Sequence, residues 1–223
     1  MKDSTHINGE KLNPELARCF GSWEGGRMIR HPLVHEIFYV EAMNAYYNES
    51  LKRKKCLRSK AIKDGNWTQY IFVHERPYRF DALTDLLAIA ELPRDIIAGL
   101  IKQVWVDSEN VWQHKAAWLK LLSEYQIELI GTGDEAETNY IATAPETITV
   151  YRGCQQRNQS GLAWTIDKER AIWFAKRWQD GRPILVEGVV KKEHVLAAIF
   201  GRSESELVIS PRHIGRKKLH EVF

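Results

Sequence analysis

Near the end of the chain, three short segments carry residue types suited to work on a phosphorylated sugar. Tyr151-Arg152-Gly153 follows a β-branched run, Thr165 lies on the next apolar run, and Glu204-Ser205-Glu206 opens a later one. An arginine at a strand end offers a planar fork of donors that matches phosphate and ribose oxygens. A glycine directly after it lets backbone approach a ligand with no Cβ in the way. A carboxylate beside an anomeric carbon stabilises the positive charge that develops as a glycosidic bond breaks, and Glu206 suits that role. Tyr-Arg-Gly or Glu-Ser-Glu in isolation reads more simply as surface charge at a strand end. The signal lies in their order and separation, 13 residues from Arg152 to Thr165 and 41 more to Glu206.

The elements that must position these residues are legible around them. TITVYRG, GLAWTI, PILVEGVV, HVLAAIF and ELVIS are short apolar or β-branched runs divided by polar and Gly/Pro turns, the pattern of strands. One helix interrupts them. Asp167 is placed to cap it, and Ala171, Phe174, Ala175 and Trp178 follow at i, i+3, i+4 and i+7.

This ordered set resembles the arginine/serine/glutamate, Glu-x-Glu branch of the ADP-ribosyltransferase superfamily. Its pieces are a strand ending in Arg-Gly, a hydroxyl-bearing strand, a helix of the form A-x-x-F-A, and Glu-x-Glu before an apolar strand. The resemblance covers about residues 147–210. It implies NAD⁺ as co-substrate and no metal. Arg152 would meet phosphate and ribose oxygens beside Tyr151, Gly153 would hold the nicotinamide amide through its main chain, and Phe174 would lie over the nicotinamide ring. It makes Glu206 the catalytic carboxylate and turns Glu204 toward the acceptor. Thr165 takes the place of the strand hydroxyl that braces the glutamate, although Ala163-Trp164-Thr165 departs from the family's Ser-Thr-Ser.

The expected protein is α+β: a mostly helical N-terminal layer, 1–146, and a mixed β-sheet transferase core, 147–223. Before residue 130, Val34, Phe38, Ala42 and Ala45 recur at helical spacing from a start near Pro32. Two more helices flank Leu92-Pro93, and residues 110–124 form another amphipathic helix. Segment 130–147, with two glycines, an acidic cluster and a proline, reads as a linker or surface loop. Because a core of 77 residues is small, 66–80 is expected to complete the sheet or line the acceptor side. Arg76 and Arg79 within it suit substrate contact or surface ion pairs.

Charge divides unevenly along the chain. Residues 148–223 hold 14 Lys and Arg against 8 Asp and Glu, while the preceding 147 hold 18 against 21. A basic run, LKRKKCLRSKAIK, precedes Trp67, Tyr70 and Phe72, and the chain ends near PRHIGRKKLHEV. Both stretches suit a phosphate backbone, which favours RNA or another nucleic acid as acceptor, with a protein arginine as the alternative. The run at 51–63 also reads as a solvated helix face. Three scattered cysteines fit reduced thiols, and no run approaches the roughly 20 apolar residues of a membrane span, so the expected compartment is the cytoplasm and no membrane partner is expected. The likeness extends to toxin-like bacterial or phage-defence members, which implies an inhibitory antitoxin partner. An inactive module that binds NAD⁺ or a partner, and an enzyme that passes ADP-ribose to water, remain open. Other motifs fail: His31 and His35 have Pro32 between them and no third ligand, and Gly25-Gly26 and Gly131-Thr132-Gly133 lack a phosphate loop's Lys-Ser/Thr and read as turns.

Overall fold

The computed structural model describes residues 9–109, 111–177, 181–201 and 204–222. They form an α+β protein of two compact units. One comprises the chain up to Glu91 with Val106–Glu109, and the other Leu92–Trp105 with the chain beyond Asn110. The boundary therefore falls near residue 92 rather than at 146/147. The helices of 92–143 pack with the C-terminal strands because their apolar residues help to cover that sheet.

The first unit begins with a short helix α1 (Pro14–Ala17), capped by the Asn13 side chain. Three antiparallel strands follow, β1 (Phe20–Trp23), β2 (Gly26–His31) and β3 (Val34–Glu36). Glu24 and Gly25 both adopt positive φ (47° and 81°) between the paired Trp23 and Gly26, which makes a tight hairpin turn of left-handed residues. The helix expected from Pro32 is thus replaced by a second hairpin around Pro32-Leu33, with His31 opposite Val34. Pairing buries Ile29, Leu33 and Val34, whereas Phe38, Ala42 and Ala45 of the supposed stripe are exposed. The long helix α2 (Asn44–Asp64) starts later, buries Tyr47 and Leu51, and ends at Gly65 in the left-handed conformation.

Helices α3 (Trp67–Phe72) and α4 (Arg79–Ile89) complete this unit, so segment 66–80 neither joins the large sheet nor borders it in sequence. Lys54 pairs with Glu75 at 2.5 Å, and Lys55 and Lys60 pair with Glu15 and Asp64. Tyr70 is buried, and the Arg79 guanidinium lies 4.7 Å from the centre of the Phe72 ring. Trp67 and Phe72 are half-buried. Arg79 pairs with Asp107 at 2.5 Å, and Arg76 with Asp107 and Glu109.

The second unit contains α5 up to Trp105 (the whole helix is Arg94–Asp107), α6 (Lys115–Glu124), α7 (Gln126–Gly131) and α8 (Glu135–Thr143). The supposed linker 130–147 is mostly helical. Asp134 accepts from the Glu137 N–H while Glu137 accepts from the Asp134 N–H, a reciprocal cap that starts α8. The Glu137 carboxylate is buried, lies 2.8 Å from Lys102 and accepts the Phe200 N–H at 2.9 Å.

Six strands follow: β4 (Thr147–Gln155), β5 (Ala163–Thr165), β6 (Pro183–Lys191), β7 (Val195–Ile199), β8 (Glu206–Ile209) and β9 (Gly215–Glu221), with helix α9 (Lys168–Lys176) between β5 and β6. Their spatial order is β7-β8-β5-β4-β6-β9, and every pairing is antiparallel rather than mixed. A parallel pair needs a long crossover between neighbours. The helical connection here joins β5 to β6, which lie on either side of β4, and α9 packs across β4. Ile148, Val150, Trp164, Val186, Leu207 and Ile209 form the core of one face, against which Ile130, Tyr140 and Ile141 of α7 and α8 pack. Trp164 is buried in this core, while Trp178 lies outside the described residues. The basic C-terminal stretch forms β9, an exposed edge strand whose lysines discourage further pairing. Among the described residues no helix is long and apolar enough to cross a membrane.

Candidate active site

Sheet pairing brings three segments distant in sequence into one row. Tyr151 of β4 stands opposite Thr165 of β5, and Thr165 stands opposite Glu206 of β8. Directly paired residues of an antiparallel sheet share a face, so these side chains leave the sheet on the same side. The row continues to Glu187 of β6 beyond Tyr151 and to Ile199 of β7 beyond Glu206.

Thr165 is buried, and its hydroxyl is fully engaged. It donates to the Glu204 carbonyl at 2.7 Å and accepts the Asp167 N–H at 3.0 Å. The first bond ties β5 to the Glu204-Ser205-Glu206 segment; the second fixes the entry to α9. Between the two glutamates, Ser205 holds φ at 42°, a left-handed conformation uncommon outside glycine, asparagine and aspartate. That strain points the chain into β8 immediately before Glu206, in the kind of place where backbone strain gathers at functional sites.

Glu206 is buried at 7% exposure, yet its carboxylate is not stranded. The indole N–H of Trp105, at the end of α5, donates to its Oε1 at 2.9 Å. Trp105 is itself buried and meets Trp118 of α6 edge to face, with ring centres 5.1 Å apart. Sequence reasoning missed Trp105, since nothing local to WVDS marks a partner for a carboxylate far along the chain. Glu204 is half-buried, with the Arg170 guanidinium 3.7 Å from its Oε1. Arg170 belongs to the first turn of α9 and was overlooked too. It lies 4.5 Å from the Trp173 ring centre and 5.3 Å from that of Phe174.

Arg152 and Gly153 both make close contacts within the chain. One residue out of step with Tyr151, Arg152 falls in the row of Val150 and Cys154, opposite to the face of Thr165 and Glu206. β4 and β5 pair at a single position, and beyond it Arg152 donates from Nη1 to the Ala163 carbonyl at 2.7 Å and from Nη2 to Asn158 O at 3.2 Å. A Cβ at Gly161 would stand 2.1 Å from the guanidinium carbon, so a larger residue there would displace the guanidinium. The guanidinium thus organises the β4–β5 connection. Burial lowers its pKa from the ordinary arginine value, against the upward pull of the Cys154 thiol and the Glu206 carboxylate. Gly153 lies under α9, where a Cβ would stand 1.6 Å from the Ala171 carbonyl oxygen. Its missing side chain permits close helix-on-strand packing.

The structure therefore joins Thr165, Glu204 and Glu206 directly, sets Tyr151 in their row, and places Phe174 beside Arg170, the partner of Glu204. No group of three His, Cys, Asp or Glu side chains with metal-holding geometry occurs among the described residues. Compared with protein-family models, curated proteins and solved structures, the chain matches none of them, so the chemistry of the site must be argued from its own geometry.

Proposed function

We propose that the second unit is an NAD⁺-dependent mono-ADP-ribosyltransferase. The observation that carries this reading is the row Tyr151–Thr165–Glu206 across three neighbouring strands, with Glu204 hydrogen-bonded through its carbonyl to Thr165. Two carboxylates two residues apart, one buried and one half-buried, divide the labour of a transfer. In the proposed reaction the bond from ribose C1′ to the nicotinamide nitrogen breaks. Its electron pair leaves with neutral nicotinamide, and an oxocarbenium-like ribose forms. Glu206 stabilises that charge. An O–H or N–H group of the acceptor attacks C1′, and its proton passes to Glu204 and then to water, so one proton is released per transfer.

Arg152 and Gly153 enter this reading as residues that shape the site, since their groups already serve the β4–β5 connection and the α9 contact. Those two engagements are also what favours the second reading, a non-catalytic module on the same sheet. Incubating the whole chain and Glu206→Gln with NAD⁺ labelled in the adenylate and a cell lysate separates the two. Label on macromolecules that depends on Glu206 supports the transferase. Free ADP-ribose as the sole product assigns water as acceptor, and intact NAD⁺ with both proteins overturns the enzymatic reading.

A further inference from the structure

We infer that the acceptor is a single-stranded nucleic acid, one of whose bases stacks on Trp173 beside Glu204; the inference rests on the transferase reading of that carboxylate. Trp173 sits on the second turn of α9 and is 48% exposed, an unusual position for an indole in a helix otherwise packed on β4. Two guanidinium carbons lie close to its ring centre, Arg170 at 4.5 Å and Arg177 at 5.7 Å. The Phe174 ring meets it edge-on with centres 5.0 Å apart. Arg170 then reaches to within 3.7 Å of Glu204 Oε1, so the aromatic platform and the acceptor-side carboxylate are linked through one side chain. Its Nε–H is buried and has no hydrogen-bond partner among the described residues.

Charge selects the occupant. Residues 168–177 carry four cations, Lys168, Arg170, Lys176 and Arg177, against Glu169. A polyanion with planar, stackable groups satisfies both features: phosphates meet the guanidiniums and a base extends the stack on the indole. An acidic peptide supplies the charge without the stacking face. A base seated on Trp173 would bring its own nucleotide, or the next one, alongside Glu204.

The test needs no NAD⁺, so it stands apart from the chemistry. Anisotropy of a fluorescein-labelled 12-nucleotide single-stranded RNA, and of the matching DNA, is measured against the whole chain at two salt concentrations. Trp173→Ala is expected to weaken binding about tenfold, Trp173→Phe to weaken it less, and Arg177→Gln to weaken it while flattening the salt dependence. Trp112→Ala provides the control, because Trp112 is also an exposed indole, at 65%, with Lys115 4.8 Å from its ring centre. It is expected to bind like the wild type. Equal losses in Trp112→Ala and Trp173→Ala, undiminished binding by Trp173→Ala, or no binding by the wild type overturns the inference. If Trp173-dependent binding occurs but labelled NAD⁺ is never consumed, the subsite stands and the transferase reading falls. Labelling of protein alone, with no oligonucleotide bound, has the opposite meaning.

Discussion

Trp105 donates its indole N–H to the buried carboxylate of Glu206 at 2.9 Å, joining the end of α5 to the start of β8 across 101 residues of sequence. The edge-to-face contact with Trp118 fixes the plane of that indole and so the direction of its N–H. Trp105→Phe keeps the aromatic body and removes the donor. The lost bond to a buried carboxylate costs about 1–3 kcal/mol. NAD⁺ turnover should fall by about tenfold or more with an unchanged circular-dichroism spectrum, whereas Trp118→Phe should have a smaller effect on turnover. Unaltered turnover in Trp105→Phe means that the indole does not position Glu206.

Thr165 makes two bonds with one hydroxyl, and its substitutions separate that role from packing. Thr165→Val preserves shape but removes the hydroxyl's bonds to the Glu204 carbonyl and the Asp167 N–H, a destabilisation of about 1–3 kcal/mol. Thr165→Ser retains both bonds. The expected ranking of turnover is wild type, then serine closely behind, then valine far below. A valine variant as active as the serine one removes the hydroxyl from the argument.

Gly153 and Gly99 make opposite predictions. Gly153→Ala drives a Cβ into the Ala171 carbonyl, a backbone clash that no side-chain rotation relieves. It should destabilise the chain by about 3 kcal/mol, at the upper end of overpacking effects. Gly99, inside α5, has open space where its Cβ would be, so Gly99→Ala should stabilise by about 0.5–1 kcal/mol. Denaturant unfolding of both variants measures the difference. If Gly153→Ala is as stable as the wild type yet fails to bind NAD⁺, the glycine belongs to a ligand and not to the helix contact.

Two buried histidines of the first unit set a pH dependence. Burial lowers the pKa of His31 and of His74 from the ordinary histidine value, about 6.5, and outweighs the raising effects of the Glu15 hydrogen bond on the first and the Tyr70 carbonyl on the second. The unfolded chain therefore takes up these protons first. Stability conferred by the neutral rings is present above about pH 6.5 and is lost as pH falls toward the folded values. Glu15 is lowered as well, first by its hydrogen bond to Lys55, and adds a loss at more acidic pH. The denaturant midpoint should fall between pH 7.5 and pH 5.5; a flat or rising midpoint contradicts the assignment.

On the proposed transferase reading, the chain should arrest growth when expressed in a bacterial host, and Glu206→Gln should restore growth at the same protein level. Equal growth with both proteins counts against a toxin-like role.

Local chemistry by itself determined much of this protein. Strands 147–155, 163–165, 183–191, 195–199 and 206–209 are visible as short β-branched runs, and α9 as an Asp167 cap followed by helical spacing. These signals involve residues within a turn or a strand of one another, which is why they can be read in order along the chain. The candidate residues were visible for the same reason, as types at strand ends. Tertiary structure decided what they touch. Strand alternation put Arg152 one residue out of step with Tyr151, Thr165 and Glu206, and the crossing of α9 over β4 set Gly153 against Ala171. Hairpin pairing overrode the helical spacing from Pro32, because burying Ile29, Leu33 and Val34 against Leu16, Tyr47 and Leu51 outweighed a stripe whose Phe38 stays exposed. The Asp134/Glu137 cap was legible in principle but hidden among glycines and acidic residues. Trp105 was not legible, because a hydrogen bond between residues so far apart exists only once the helix and the sheet have packed, and no local periodicity encodes it.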